Sequence, residues 1–104
     1  MSFVEVAKMS ELPVGSIKGV TLDDKAILVA NINGSYYAIA GKCTHAGGDL
    51  SKGKLEGNIV TCPRHGSKFD VTTGNRISGP ARQNEARYEV KIEGNSIKVN
   101  LSPV

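Results

Sequence analysis

Two cysteines and two histidines carry the chemistry that this chain suggests, and they occur in two short stretches. Cys43 and His45 form a C-x-H motif, and Cys62 and His65 form a C-x-x-H motif sixteen residues further along. The sequence contains no other Cys or His. Thiolates are soft ligands that suit Zn²⁺, Cu(I) and iron–sulfur clusters, and imidazole binds several of the same metals. The pattern therefore predicts one metal site built from two loops.

Four kinds of site could use these side chains. A disulfide would leave the histidines unexplained, and the N-terminal sequence does not resemble a secretory signal. Structural zinc sites usually draw two like ligands from each half, although zinc tolerates mixed halves. Blue copper uses two His and one Cys, so the second thiolate argues against it. In one type of [2Fe–2S] cluster, one iron takes two Cys and the other two His; two mixed loops match this division directly.

Three segments of the chain resemble the Rieske family. Residues 43–48 (CTHAGG) and 62–70 (CPRHGSKFD) resemble the two cluster-binding loops, and Gly79-Pro80-Ala81 is similar to the proline loop that covers the cluster. The predicted order of strands also fits, so the resemblance covers essentially the whole chain. It implies one Rieske [2Fe–2S] domain over residues 1–104, with its cluster-binding part at about 41–81.

The resemblance also implies which residues bind one [2Fe–2S] cluster. Cys43 and Cys62 are expected to bind the inner iron as thiolates. His45 and His65 are expected to bind the outer iron, which lies nearer solvent and forms the exit for the electron. In this type of centre the potential spans about −150 to +300 mV and depends on hydrogen bonds, charge and exposure.

Two departures from the family pattern narrow the type of protein. Respiratory and photosynthetic members carry a second Cys in each loop, joined as a disulfide, whereas this chain has Gly48 and Arg64 at those positions. High-potential members have a Ser and a Tyr that donate hydrogen bonds to sulfur; here Ser67 is kept and Phe69 replaces the Tyr. Fewer donors stabilise the reduced state less, so we expect a potential in the lower or middle part of the range. The chain resembles the soluble Rieske-type ferredoxins.

A second set of residues is predicted to support the cluster. Glycines would let backbone N–H groups approach sulfide without an intervening Cβ, Ser67 would donate a hydrogen bond, and the proline would exclude water. Gly48 and Ser67 could equally be ordinary turn residues, and Gly-Pro is also a common turn. The residues are Gly47, Gly48, Gly66, Ser67 and Pro80.

Charge and length limit the classes of function. The chain has 104 residues and a net charge of +3, without the basic helix or interleaved aromatics typical of nucleic-acid binders. It has no apolar run of membrane-spanning length, and we expect a cytoplasmic monomer. Lys42, Arg64 and Lys68 lie beside the ligands and either form a basic docking ring for an acidic partner or are simply solvated.

The predicted function is one-electron transfer between a reductase and a terminal oxygenase or other oxidoreductase, without catalysis by the chain itself. No His remains for the 2-His-1-carboxylate iron site of an oxygenase, which a further large domain would have to hold. Two alternatives stay open at this point: a small Rieske subunit of a larger oxidoreductase, and a zinc-binding interaction module.

The elements that position the loops are predicted to be strands. Phe3–Lys8 and Ser16–Leu22 alternate apolar and polar residues, and Lys25–Ile32 is nearly all apolar, as expected for a strand covered on both faces. Asn33-Gly34 predicts a hairpin to residues 35–40. A second hairpin is predicted at 87–101 around Gly94-Asn95, with short strands at 58–62 and 68–71, a turn at 72–75 and one helical turn near 10–13. The fold class is therefore all-β: a Rieske-like antiparallel β-sandwich or barrel with an inserted, loop-built cluster-binding subdomain.

Overall fold

The computed structural model describes residues 3–43, 48–64, 66–79 and 83–102. Eleven strands lie in these ranges, and the helical segments there are two three-residue 3₁₀ turns, Met9–Glu11 and Leu50–Lys52. None of the described helical segments could therefore cross a membrane. The strands are β1 (Phe3–Lys8), β2 (Ile17–Leu22), β3 (Lys25–Ile32), β4 (Ser35–Ala40), β5 (Lys54–Glu56), β6 (Ile59–Thr61), β7 (Lys68–Asp70), β8 (Arg76–Ser78), β9 (Arg87–Tyr88), β10 (Val90–Glu93) and β11 (Ser96–Asn100).

The strands form three antiparallel sheets. The first has the order β1-β11-β10, the second β2-β3-β4-β9 and the third β5-β6-β7-β8. The third sheet is made entirely from the stretch between β4 and β9, which contains both Cys/His motifs. The predicted all-β antiparallel fold is confirmed.

Strand β3 separates two hydrophobic cores. Successive side chains point to opposite faces of a strand. Ile27 and Val29 accordingly join the core shared with the first sheet, whereas Leu28, Ala30 and Ile32 join the core shared with the third sheet. All five are buried. The continuous apolar sequence of β3 thus results from burial on both faces, as the sequence predicts.

The turn between β3 and β4 has the predicted two-residue form. Asn33 and Gly34 adopt positive φ angles of 55° and 91°, and Ile32 pairs with Ser35. The buried amide of Asn31 fixes this hairpin, because its Nδ2 donates to the Leu12 carbonyl at 2.8 Å and its Oδ1 accepts from the Gly34 N–H at 2.9 Å. The hairpin is thereby tied to the segment after the first 3₁₀ turn.

The structure differs from the sequence prediction in three places. The predicted strand at 87–92 is two strands, because β9 pairs with β4 in the second sheet and β10 pairs with β11 in the first. Strands β5 and β8 were not predicted, nor was the second 3₁₀ turn. The region between the motifs is therefore a four-stranded sheet that carries loops, rather than loops with two isolated strands.

Gly53 is required where the second 3₁₀ turn meets β5. A Cβ at this position would lie 1.9 Å from the Thr61 carbonyl oxygen, although the backbone φ of −83° suits any residue. We predict that Gly53→Ala lowers the free energy of unfolding by about 3 kcal/mol through overpacking. Gly57→Ala is the matched control: its φ is +60° with open space around the Cβ, so only about 1–2 kcal/mol of backbone strain is expected. Urea unfolding measures both, and equal losses would contradict the steric explanation.

Candidate metal centre

Two loops of the same construction carry the two cysteines. The Cys43 N–H donates to the Gly48 carbonyl at 2.8 Å, and the Cys62 N–H donates to the Ser67 carbonyl at 2.7 Å. Each loop therefore closes through a hydrogen bond from its cysteine to the carbonyl five residues later. The flanking residues pair as well: Lys42 with Asp49 at the first loop, and Thr61 with Lys68 at the second. Antiparallel pairing thus holds both loops at their bases.

Both cysteine side chains lie in the core between the second and third sheets. Cys43 and Cys62 are buried and are free thiols. They belong to the same apolar cluster as Leu50, Val60 and Phe69, which are fully buried. The two sulfur donors predicted from distant parts of the sequence therefore share one water-excluded environment.

Gly48 brings the first loop against the second. A Cβ at Gly48 would lie 3.0 Å from Cys62 Sγ and 3.2 Å from both Cγ and Cδ of Arg64. A Cβ at these distances would fit only if the neighbouring atoms gave way by a few tenths of an ångström, so the contact favours glycine. Gly48 therefore allows close approach between the loops, rather than acting only as a turn residue.

The segment that leads to residue 80 also packs against the second loop. Gly79 has φ +95°, and a Cβ there would lie 2.5 Å from Ser67 Cα and 3.1 Å from the Gly66 carbonyl oxygen. Ser67 is completely buried. Gly66 has φ +77° with open space around its Cβ position, so its backbone conformation rather than crowding favours glycine. Sequence reasoning placed Gly79 in the segment similar to the proline loop but gave it no role of its own; its contact with Ser67 is visible only in the structure.

The predicted basic residues surround these loops at the surface. Lys42, Arg64 and Lys68 are all exposed, and each is next to a loop terminus or inside a loop. Of the ion pairs formed among the described residues, none involves Lys42 or Lys68. Their charges are therefore available to a partner or to solvent.

Four predicted site residues lie outside the described residues: His45, His65, Gly47 and Pro80. The described neighbours nevertheless fit a metal centre. Two buried thiols on facing loops provide soft ligands, and the small residue at 48 leaves room beside Cys62 Sγ that a Cβ would fill. Soft sulfur donors in an apolar pocket suit an iron–sulfur centre. The chain offers only two Cys, so imidazoles are the natural source of the remaining ligands.

Comparison with known proteins decides the family. Residues 2–98 match the profile of the Rieske [2Fe-2S] domain. The chain belongs to the Rieske [2Fe–2S] domain family. Rieske domains carry one [2Fe–2S] cluster, so the predicted cofactor is confirmed and the zinc alternative is excluded.

Individual Rieske proteins extend the comparison over nearly the full chain. The ferredoxin component of the naphthalene 1,2-dioxygenase system of Pseudomonas aeruginosa is 37% identical over 96% of this chain and 96% of its own length. The ferredoxin of carbazole 1,9a-dioxygenase from Nocardioides aromaticivorans IC177 superposes with a TM-score of 0.90 at 30% identity, covering 95% of this chain and 97% of that one. These relatives are ferredoxin components, which carry electrons and are not enzymes themselves. The prediction of an electron carrier is confirmed.

Proposed function

We propose that this protein carries one electron at a time from a reductase to the terminal oxygenase of an aromatic-ring dioxygenase system, in the cytoplasm. The similarity to ferredoxin components of naphthalene and biphenyl dioxygenases supports this role. A solved complex of the carbazole 1,9a-dioxygenase oxygenase with its ferredoxin contains a chain of the same fold, with a TM-score of 0.89 and 30% identity. The single observation that carries the proposal is that such a ferredoxin component matches 96% of this chain over 96% of its own length.

The proposed cluster ligands are two from each loop. Cys43 and Cys62 would hold one iron, and His45 and His65 would hold the other; the cluster-binding part would be about residues 41–81 of a single domain. When bound, the cluster supplies a site that accepts and releases one electron. The buried positions of both thiols support the assignment of the cysteines to the inner iron. The C-x-H and C-x-x-H spacings support the histidines as its counterparts.

The residues around the loops would set how stable the reduced state is. Leu50, Val60 and Phe69 keep water away from the thiolates, which leaves hydrogen bonds and nearby charges as the main means of holding an added electron. Phe69 is completely buried and offers no hydroxyl. The buried hydroxyl of Ser67 is therefore the side-chain donor that we expect to matter most on this loop.

The Ser67 hydroxyl provides a test of this view. We predict that Ser67→Ala lowers the midpoint potential, because a hydrogen bond to the more negative reduced state is lost. Such a bond is worth about 1.5–3 kcal/mol, which corresponds to about 60–130 mV for one electron. Voltammetry measures the change. Ser78→Ala, on the exposed strand β8, is the control and should leave the potential within about 20 mV. An unchanged potential in Ser67→Ala would remove the residue from the proposed supporting set.

Docking to the partner is proposed to use the basic residues beside the loops. We predict that oxidation of the reduced protein by a dioxygenase terminal component slows about tenfold between low and high salt, since screening weakens attraction to an acidic surface. Lys42→Gln and Lys68→Gln should slow the reaction at low salt and flatten the salt dependence. Lys91→Gln is the control, since β10 lies in the first sheet, away from the cysteines. If the oxidation rate measured by stopped flow does not change with ionic strength, these residues are only solvated and do not take part in docking.

One further candidate function has specific support. Human apoptosis-inducing factor 3 matches 93% of this chain at 33% identity, but only 16% of its own length is involved. A Rieske domain can therefore occur as a small part of a longer protein. Constitutive co-purification with a large subunit would favour such a role for this chain.

A further inference from the structure

The contact between Gly48 and Arg64 is a direct link between the two cysteine loops. Gly48 closes the first loop by accepting the Cys43 N–H, and Arg64 follows Cys62 by two residues in the second. The place that a Gly48 Cβ would take is bounded by three atoms: Cys62 Sγ at 3.0 Å and the Cγ and Cδ of Arg64 at 3.2 Å. The methylene groups of Arg64 and the sulfur of Cys62 therefore both lie against Gly48 of the first loop.

The link is non-covalent and is made by a residue that is otherwise at the surface. Cys43 and Cys62 are both free thiols, and the sequence has no further Cys that could join the loops. Arg64 as a whole is exposed, yet its aliphatic carbons pack on Gly48, as long charged side chains often do over apolar or backbone surface. Packing of this kind excludes water from the space it covers, and Cys62 Sγ borders the same space beside Gly48.

We propose that Arg64 is a positioning residue that clamps the first loop onto the second and shields the Cys62 sulfur, so that the lifetime of the bound cluster depends on its aliphatic stem. The proposal rests on the ligand set given above. The two parts of the side chain have separate effects: the stem holds the loops together, and the positive charge favours the reduced, more negative state.

Variants of Arg64 separate these effects. Arg64→Met keeps an unbranched apolar stem and removes the charge, so the rate of cluster loss should stay near that of the wild type while the potential falls. Arg64→Ala removes both, so the potential should fall equally and the cluster should be lost about tenfold faster, the equivalent of about two buried methylene groups. Arg64→Lys keeps both a long stem and the positive charge, so its rate of cluster loss and its potential should stay near those of the wild type. Decay of visible absorbance in the presence of an iron chelator gives the rate, and voltammetry gives the potential.

Gly48→Ala completes a double-mutant cycle with Arg64→Ala. The added methyl group crowds Arg64 Cγ and Cδ, so Gly48→Ala should accelerate cluster loss strongly in the wild type and less strongly when Arg64 is already alanine. Lys68→Ala is the matched control, because it removes a similar stem and charge from the same stretch but is not among the nearest neighbours of Gly48. Its cluster lifetime should be unchanged.

The proposal is overturned if Arg64→Ala loses its cluster no faster than Lys68→Ala, or if the Gly48 and Arg64 effects are additive. Circular dichroism under the same conditions should show that the strands remain folded while absorbance decays; simultaneous unfolding would also overturn it. If instead the proposed cluster ligands were wrong, a different observation would show it: Cys62→Ala would keep the visible absorbance spectrum of the wild type.

Discussion

Cys62→Ala abolishes the [2Fe–2S] cluster: we expect purified protein without the visible absorbance of the wild type and with less than about a tenth of its iron. Cys62 supplies half of the proposed sulfur donors, and an alanine cannot bind iron in a pocket whose other walls are apolar. The pocket contains no spare thiol, because Cys43 is the only other cysteine in the chain. Cys43→Ala should behave in the same way.

Val60→Ala separates loss of a ligand from damage to the fold. Val60 is fully buried in the same core, two residues before Cys62, and its replacement should cost about 2 kcal/mol of stability. The cluster should nevertheless be present at the wild-type ratio of iron to protein. If Cys62→Ala keeps its iron, or if Val60→Ala loses it completely, the assignment of Cys62 as a ligand is wrong.

His65→Cys lowers the reduction potential by a few hundred millivolts, the second large effect that we expect. A thiolate replaces a neutral imidazole, so both redox states carry one more negative charge and the reduced state is penalised more. All-cysteine plant-type clusters lie near about −400 mV, against about −150 to +300 mV for Rieske centres. His45→Cys is expected to change the potential similarly, since each loop provides one imidazole. Voltammetry measures both variants.

Lys68→Gln is the control with the same change in charge. It also makes the surroundings of the second loop more negative by one unit, but through an exposed side chain whose field is screened by water and salt. A shift of only a few tens of millivolts is expected. If His65→Cys shifts the potential no further than Lys68→Gln does, His65 is not bound to iron.

Local patterns predicted the framework well, for identifiable reasons. The turn at Asn33-Gly34 needs two residues that accept positive φ, and both the residue types and the flanking apolar runs are local in sequence. Strand β3 could also be predicted from the sequence, because burial on two faces requires an unbroken apolar run. The C-x-H and C-x-x-H motifs predicted two loops, and the structure brings Cys43 and Cys62 into one core.

Other features depend on tertiary pairing and could not be predicted locally. Strand β8 consists of three exposed residues without alternation, and it exists because Lys68 and Phe69 of β7 provide hydrogen-bonding partners. Asp23 and Asp24 form a two-residue turn between β2 and β3, and both have positive φ. Asp tolerates this conformation, but an Asp pair alone does not predict it. The break after Tyr88 is set by competition between two sheets.

In the metal site too, the ligands could be predicted from local sequence, whereas the contacts that position them could not. Residue type and spacing identify the donors, but closure of each loop through a hydrogen bond five residues along is visible only in the structure. The contact of Arg64 with Gly48 joins the two positions that hold the loop disulfide in other Rieske proteins, but the packing of the arginine stem there is visible only in the structure.

The unequal ligation of the two irons is tested most directly by pulsed paramagnetic resonance of the dithionite-reduced protein. The proposed site predicts two irons and two sulfides per chain, with hyperfine couplings from two different imidazole nitrogens, one of which disappears in His65→Cys and the other in His45→Cys. Couplings from fewer than two imidazoles in the wild type, or a spectrum unchanged in both variants, would contradict a cluster held by Cys43, His45, Cys62 and His65.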